Sequence, residues 1–417
     1  MEIRRDKYLD NLKNRLHNGM IKVVTGVRRS GKSYLVFKLY RNYLLESGVP
    51  EDHIIGIALD ERKNREYRKA DAILAYIEGR LTGSGEYYLL LDEVQLLEDF
   101  EEVLNSLLHT PNLDICVTGS NSKFLSRDVI TEFRGRGDEI RVYPLSFKEY
   151  MSAYPSDRYQ GFADYMTYGA LPQILSMKTE QQKIQYLTTL FEETYIKDIC
   201  ERNRIEKLQE LNDIINVLAS AVGSLTNPSK IEATFRSSLR SDISVNTISQ
   251  YIKYLEDAFL ISEANRYDVK GRKYIGTPLK YYFEDTGLRN ARLGFRQTEE
   301  THLMENVIYN ELRMRGYKVD VGVVPVRLTN GSGKRERAQL GIDFVANMGS
   351  KKYYLQSAFS LPDENKTKQE KASLLNVDDS FKKLVIVNDT LNVRRDEHGI
   401  TTMNLYDFLL NENSLDI

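Results

Sequence analysis

Cysteine is nearly absent from this 417-residue chain, which holds only Cys116 and Cys200. Two isolated thiols exclude a disulfide-stapled scaffold and a zinc site, and suit a reducing, cytoplasmic setting. The five histidines (17, 53, 109, 302 and 398) are scattered without ligand spacing. No apolar run approaches the roughly 20 residues that cross a bilayer, and the N-terminus lacks a signal peptide's apolar stretch. No membrane partner is therefore expected. Neither sign of charge dominates: 58 basic residues stand against 60 acidic ones, a net of −2. There is no global pull toward nucleic acid, so any such site must be a local patch. Low-complexity tracts and internal repeats are also missing. What is present is length and apolar content, 41% hydrophobic residues, enough for two or three domains with proper cores.

The most informative segment is Gly26-Val27-Arg28-Arg29-Ser30-Gly31-Lys32-Ser33. The spacing G-x4-G-K-S lets successive backbone N–H groups wrap a nucleotide's phosphates, with Lys32 reaching the β/γ oxygens and the Ser33 hydroxyl on Mg²⁺. Met20–Thr25 reads as a buried strand leading in. Lys32–Glu46 reads as a helix whose N-terminus aims at the phosphates, with Leu35, Leu39 and Tyr43 facing a core. The ligands expected here are ATP and Mg²⁺.

Tyr87–Glu93 (YYLLLDE) reads as a strand buried on both faces and ending in two carboxylates. There Asp92 is placed to hold Mg²⁺ and Glu93 to polarise an attacking water, the feature that favours hydrolysis over binding alone. The next strand, Asp114–Thr118, runs into Gly119-Ser120-Asn121-Ser122. Ser120 or Asn121 is the candidate to orient the water, with Asn121 favoured because an amide both donates and accepts. Arg134 and Arg136 follow, just before a strand at Glu139–Tyr143. Either is a candidate to stabilise γ-phosphate charge from a neighbouring subunit, which makes a homo-oligomer an expected assembly.

The ordered set GVRRSGKS, LLLDEVQ, VTGSNS, RGRGDEIRVYPLSFKEY and YGALPQIL resembles the AAA+ superfamily. Within it, the chain is similar to predicted prokaryotic ATPases that carry a C-terminal domain of unknown function. Thr194–Ile205 and Tyr281–Leu288 (YYFEDTGL) share that likeness. The resemblance implies an α/β P-loop ATPase core at about 1–150 and a helical lid at 151–205, with Gly169-Ala170-Leu171-Pro172 over the nucleotide. It also implies a sensor role for Asn121 and a finger role for Arg136.

Beyond the lid, Leu208–Val222, Pro228–Arg240 and Val245–Phe259 read as three helices, followed by two apolar segments around Lys270-Gly271-Arg272-Lys273. Three helices and a basic hairpin suggest a winged-helix segment at about 206–280, with Val245–Phe259 facing a groove and Lys270–Lys273 as wing tip. Over Arg266–Lys273 four basic residues stand against Asp268, a local net of +3 that suits phosphates. The third helix carries Glu256, Asp257 and only Lys253, a poor reader of a polyanion, so contact with a protein partner stands beside contact with DNA.

Residues 281–417 resemble the PD-(D/E)xK nuclease fold, a restriction-endonuclease-like α/β domain. Glu305 lies on a helix at Leu303–Met314, Asp343 opens a strand at Gly341–Asn347, and Gln356-Ser357-Ala358 lie in the next strand, Lys352–Phe359. Glu305 and Asp343 supply two hard ligands for Mg²⁺, but Gln356 is neutral and Ala358 stands where the lysine belongs. Lys352 is about 20 Å away by strand rise, which leaves Lys366 or Lys368 as the migrated lysine if the site works. Arg327–Arg337 reads as a solvated basic loop. The expected function is Mg²⁺-dependent ATP hydrolysis coupled to an unidentified partner. A nucleotide-gated DNA-binding regulator and an ATP-dependent nuclease are the other readings.

Overall fold

The computed structural model describes residues 3–119, 135–239, 242–296, 299–329 and 335–417. They form two compact units, the first made of Met1–Pro144, Leu171–Gln173 and Asp257–Phe259, the second of the remaining chain.

The first unit is built on a parallel sheet of β1 (Ile21–Gly26), β2 (Ile54–Ala58), β3 (Tyr87–Asp92), β4 (Leu113–Thr118) and β5 (Gly137–Val142), in the order β2-β3-β4-β1-β5. Every residue of β1, β3 and β4 is buried. Successive side chains therefore feed two cores, because strand neighbours point to opposite faces. Leu89, Leu91, Ile115 and Val117 pack with Ile73, Phe100 and Leu104 on one side. Tyr88, Leu90 and Cys116 pack with Leu12, Val36 and Tyr40 on the other. Lys22, buried within β1, is paired with Asp114 of β4, as a buried charge requires.

The chain from Lys32 to Glu46 is helical throughout, but Leu35–Tyr40 has the wider π turn. An extra residue in one turn moves later side chains by about 100°. The deeply buried stripe is accordingly Leu35, Val36, Tyr40 and Leu44, while the expected Leu39 and Tyr43 are only partly buried.

The second unit holds helices and an eight-stranded mixed sheet. Its strands are β6 (Ile261–Asp268), β7 (Lys273–Phe283), β8 (Lys318–Thr329), β9 (Arg335–Met348), β10 (Lys351–Ala358), β11 (Lys382–Val387), β12 (Arg394–Arg395) and β13 (Ile400–Asn404), ordered β12-β13-β11-β10-β9-β8-β6-β7. The three helices of the middle segment are present at Leu208–Ser220, at Pro228–Thr234 continuing as Phe235–Leu239, and at Val245–Asp257. The hairpin that follows them differs from a separate wing. β6 pairs in parallel with β8, and β7 runs through residues 280 and 281 with its last four residues buried. Tyr281, Tyr282 and Phe283 among them need a partner sheet, which the C-terminal strands supply. The segment 327–337 is also not simply a loop. Arg327 lies in β8 and Arg337 in β9, paired in register on an antiparallel ribbon, a strand pattern that the charged, exposed Arg327 and Arg337 hide in the sequence.

Tyr168–Ala170, the start of YGALP, and the EDTGL motif meet within this unit. Helix Arg158–Tyr168 ends at Gly169, and its last carbonyls receive side-chain donors from helix Thr286–Arg292. Thr286 Oγ1 donates to Tyr165 O, and Asn290 Nδ2 donates to Met166 O and Thr167 O, at 3.0, 2.9 and 2.9 Å. Asp285, the N-cap of the second helix, accepts from Leu288 N at 3.0 Å and from Ala170 N at 2.7 Å. One helix N-terminus thus satisfies the orphan groups of another helix's C-terminus. Among the described residues, no helix is long and apolar enough to cross a membrane.

Candidate nucleotide site

The ends of β1, β3 and β4 converge, at the edge of a parallel sheet where α/β proteins bind ligands. β1 delivers Gly26 in a conformation that only glycine tolerates. Its φ is +128°, and a Cβ there would lie 1.9 Å from Val142 O. Arg29 and Gly31 also have positive φ, 65° and 96°, which lets the segment turn back on itself toward Lys32. Arg5 braces the loop from behind, with Nη1 donating to Ser30 O at 3.0 Å and Nη2 to Tyr143 O at 2.8 Å. Sequence reasoning missed Arg5. It lies 21 residues before the loop, and no local pattern marks it.

Lys32 is buried and donates to Gly26 O and Val27 O, both at 3.0 Å. Burial pulls its pKa down to about 8, against the opposing pull of Glu93 and Asp92. It is thus a cation held by carbonyl oxygens at the centre of the loop. The Ser30 hydroxyl is buried without a hydrogen-bond partner, an orphan that a phosphate oxygen would satisfy.

The ends of β3 and β4, with Ser33 from the helix after the loop, supply the second half of the site. Ser33 Oγ donates to Asp92 Oδ1 at 3.1 Å. The Thr118 hydroxyl donates to the same carboxylate oxygen and accepts from Glu93 N at 3.2 Å. Burial raises the Asp92 pKa, and the hydrogen bonds from Thr118 and Ser33 work against that rise. Glu93 follows in the left-handed region, φ 50° and ψ 49°, which turns its side chain away from the strand direction. Its Oε2 accepts from Gln95 Nε2. Thr118 and Gln95 were missed as well, Thr118 because it reads as the last core residue of a strand. The all-oxygen set of Ser33, Thr118 and Asp92 suits a hard divalent cation such as Mg²⁺.

Of the other candidates, Ser120, Asn121 and Arg134 lie outside the described residues. Arg136 is exposed, and its carbonyl accepts from Ile21 N at 2.8 Å. Ile21 begins β1 whereas the phosphate loop follows its end, so the structure does not bring Arg136 to Lys32 within one subunit.

The C-terminal carboxylates meet a cation other than those expected. Lys280 Nζ lies 2.7 Å from Glu305 Oε1 and 3.3 Å from Asp343 Oδ1, and Tyr282 OH donates to Glu305 Oε1 at 2.6 Å. Lys366 is instead paired with Glu370 at 2.6 Å, and Lys368 lies 3.7 Å from Glu364. Gln356 Oε1 accepts from Asp343 N at 3.4 Å. Lys280 escaped notice because it belongs to β7, read as part of a wing. Among the described residues, no group of three or more His, Cys, Asp or Glu side chains could hold a metal ion.

A phosphate loop with a buried lysine, followed at the neighbouring strand ends by a serine–aspartate pair, defines a nucleotide-binding protein of the P-loop class. Residues 18–151 match an AAA domain, and residues 159–299 match a domain of unknown function. An uncharacterized protein of Haemophilus influenzae is 34% identical over 414 residues, 98% of each chain. An uncharacterized protein of Methanocaldococcus jannaschii is 25% identical over 390 residues, 88% of this chain and 82% of its own length. The chain belongs to the family of the Haemophilus influenzae protein. Among solved structures, the Aeropyrum pernix ORC1 protein in complex with DNA is 14% identical, covering 70% of this chain and 92% of its own, at a TM-score of 0.29. A likeness that low bears on neither fold nor function.

Proposed function

We propose that this protein hydrolyses ATP at the β–γ bond with Mg²⁺, through Lys32, Ser33, Asp92 and Glu93. The observation that carries the reading is the shared hydrogen-bond network of Ser33, Asp92, Thr118 and the Glu93 amide, beside the buried Lys32. In it, residues 26–33 cradle the phosphates with backbone N–H groups. Lys32 exchanges the Gly26 and Val27 carbonyls for β/γ oxygens. Ser33 and Asp92 would hold the Mg²⁺, which supplies charge neutralisation at those oxygens. Glu93 accepts the proton of the attacking water, once its Oε2 is free of the Gln95 amide. Asn121 is proposed to orient that water, and Arg136 to act on the γ-phosphate of a neighbouring copy. Residues 1–150 form the proposed core and 151–205 the lid, and the segments beyond are read as the means of coupling to a protein or nucleic-acid partner.

We read Glu305, Lys280 and Asp343 as a buried ion-pair network, not a nuclease centre, because only two carboxylates meet there, the neutral Gln356 adds no ligand charge, and Lys280 already pairs with both. The test of the ATPase reading is a pair of variants. Glu93→Gln is expected to retain Mg·ATP binding and to lose on the order of 100-fold or more in turnover, the usual contribution of a general base. Lys32→Ala is expected to weaken binding itself, read by a fluorescent ATP analogue. A Glu93→Gln protein that turns over at the wild-type rate refutes the assignment of the base.

A further inference from the structure

Strand pairing in the β8–β9 ribbon sets two arginines opposite each other. Arg327 and Arg337 are register partners on antiparallel strands. Side chains directly opposite each other have Cβ atoms about 4.5–5.5 Å apart, and like charges in that arrangement are destabilising. A third cation joins them. Lys270, from the turn after β6, lines the same pocket of about 730 Å³ together with Gln339 and Asn376. Among the described residues, no carboxylate lines this pocket. Asp378 approaches Lys270 only to 3.7 Å with its side chain 83% exposed, a pairing worth little in water.

The strand pattern leaves the pocket open. β6 stays in register with β8 only as far as Asp268 and Val323, so the last residues of β8 have only β9 beside them. Gln339 is already oriented: its Oε1 accepts from Arg266 Nη2 at 3.0 Å, which leaves the amide N–H groups as donors. Arg272 and Lys273 continue the positive charge from Lys270 along the exposed turn into β7. The arrangement is a track of cations, with neutral donors between them, on an otherwise charge-balanced chain.

We propose that this pocket binds the phosphodiester backbone of a nucleic acid, with Arg327, Arg337 and Lys270 on phosphate oxygens and Gln339 as a neutral donor. An anion between Arg327 and Arg337 turns their repulsion into two charge-assisted contacts. A chain of phosphates satisfies the separated cations together, whereas one phosphate ion reaches only one or two. The site is remote in sequence from the phosphate loop and does not depend on the ATPase reading.

The experiment measures fluorescence anisotropy of labelled 20-mer single-stranded and duplex DNA with the full-length protein, at several salt concentrations. Arg327→Gln/Arg337→Gln is expected to weaken binding of at least one probe by tenfold or more. It should also make the slope of log K against log salt shallower by about two, one unit per lost phosphate contact. Its thermal midpoint is expected to be unchanged or higher, since a like-charge pair is removed. Arg327→Lys/Arg337→Lys, which keeps both charges, is expected to stay within about threefold of wild type. Absence of binding by the wild type, equal binding by the Gln variant, or equal loss in the Lys variant overturns the proposal. Displacement of the DNA by submillimolar inorganic phosphate overturns it in favour of a small-anion site.

Discussion

At the scale of single residues, the buried Lys280 has the sharpest consequences. Burial alone disfavours its charge, but Asp343 and Glu305 more than reverse that and hold its pKa above the ordinary value. Burial also raises the Glu305 pKa to about 7 from an ordinary 4.5, despite the lysine beside it. A carboxyl whose folded pKa is raised binds its proton more tightly when folded. Its contribution to stability is therefore greatest below its unfolded pKa and declines as pH rises toward 7. Removing the ammonium steepens this dependence, because two carboxylates then share an uncompensated site. Lys280→Met is expected to lose about 3–5 kcal/mol of stability near pH 8, the usual penalty for breaking a buried ion pair. The loss should be clearly smaller near pH 5, where Glu305 is protonated. Urea denaturation at the two pH values measures both, and equal losses would show that the lysine's charge is not what matters.

At the scale of elements, the joint between helix Arg158–Tyr168 and helix Thr286–Arg292 explains why two distant motifs carry their particular residues. Gly169 has φ +74°, and a Cβ there would lie 2.1 Å from Asp285 Oδ1. Gly287 packs so closely that its Cβ would lie 2.1 Å from Tyr168 O. Asn290 donates to two carbonyls that the helix itself leaves unpaired. Asn290→Ala is expected to cost about 1–3 kcal/mol, the usual penalty for buried acceptors left unsatisfied, read from the unfolding of the second unit. A change below about 0.5 kcal/mol would mean that water replaces the amide. The elements legible in the sequence were those with a local signature: β1, β3 and β4 as unbroken apolar runs, the loop at 26–33 from its glycines and lysine, and the helices from their periodicity. The π turn at Leu35–Tyr40 was not legible, because one extra residue per turn leaves composition unchanged. The joining of β6 and β7 to the C-terminal sheet was not legible either, since parallel pairing of β6 with β8 spans more than 50 residues. Arg5, Thr118 and Lys280 were hidden for the same reason: each acts on groups brought close only by the fold.

At the scale of the whole molecule, the position of Arg136 bears on assembly. Residues of β1 and β5 run parallel, with Ile21 opposite Gly137 and Gly26 opposite Val142. Arg136 precedes that first pair, while the phosphate loop begins at the last, so about six strand steps of roughly 3.3 Å separate them within one subunit. An arginine side chain does not cross that distance. If Arg136 contributes to hydrolysis, it does so at the nucleotide of a second copy, and turnover then depends on association. Turnover per subunit is expected to rise with protein concentration and to level off as the assembly saturates, a mass-action effect. Arg136→Ala is expected to abolish the rise while leaving ATP affinity nearly unchanged, because Lys32 and the loop amides proposed to bind the phosphates are untouched. Mixing the Arg136→Ala protein with the Lys32→Ala protein separates the two roles. Each contributes what the other lacks, so mixed assemblies are expected to recover part of the lost turnover, as Lys32 from one copy works beside Arg136 from another. Turnover independent of concentration, with no recovery on mixing, would leave Arg136 as a solvated residue at the start of β5.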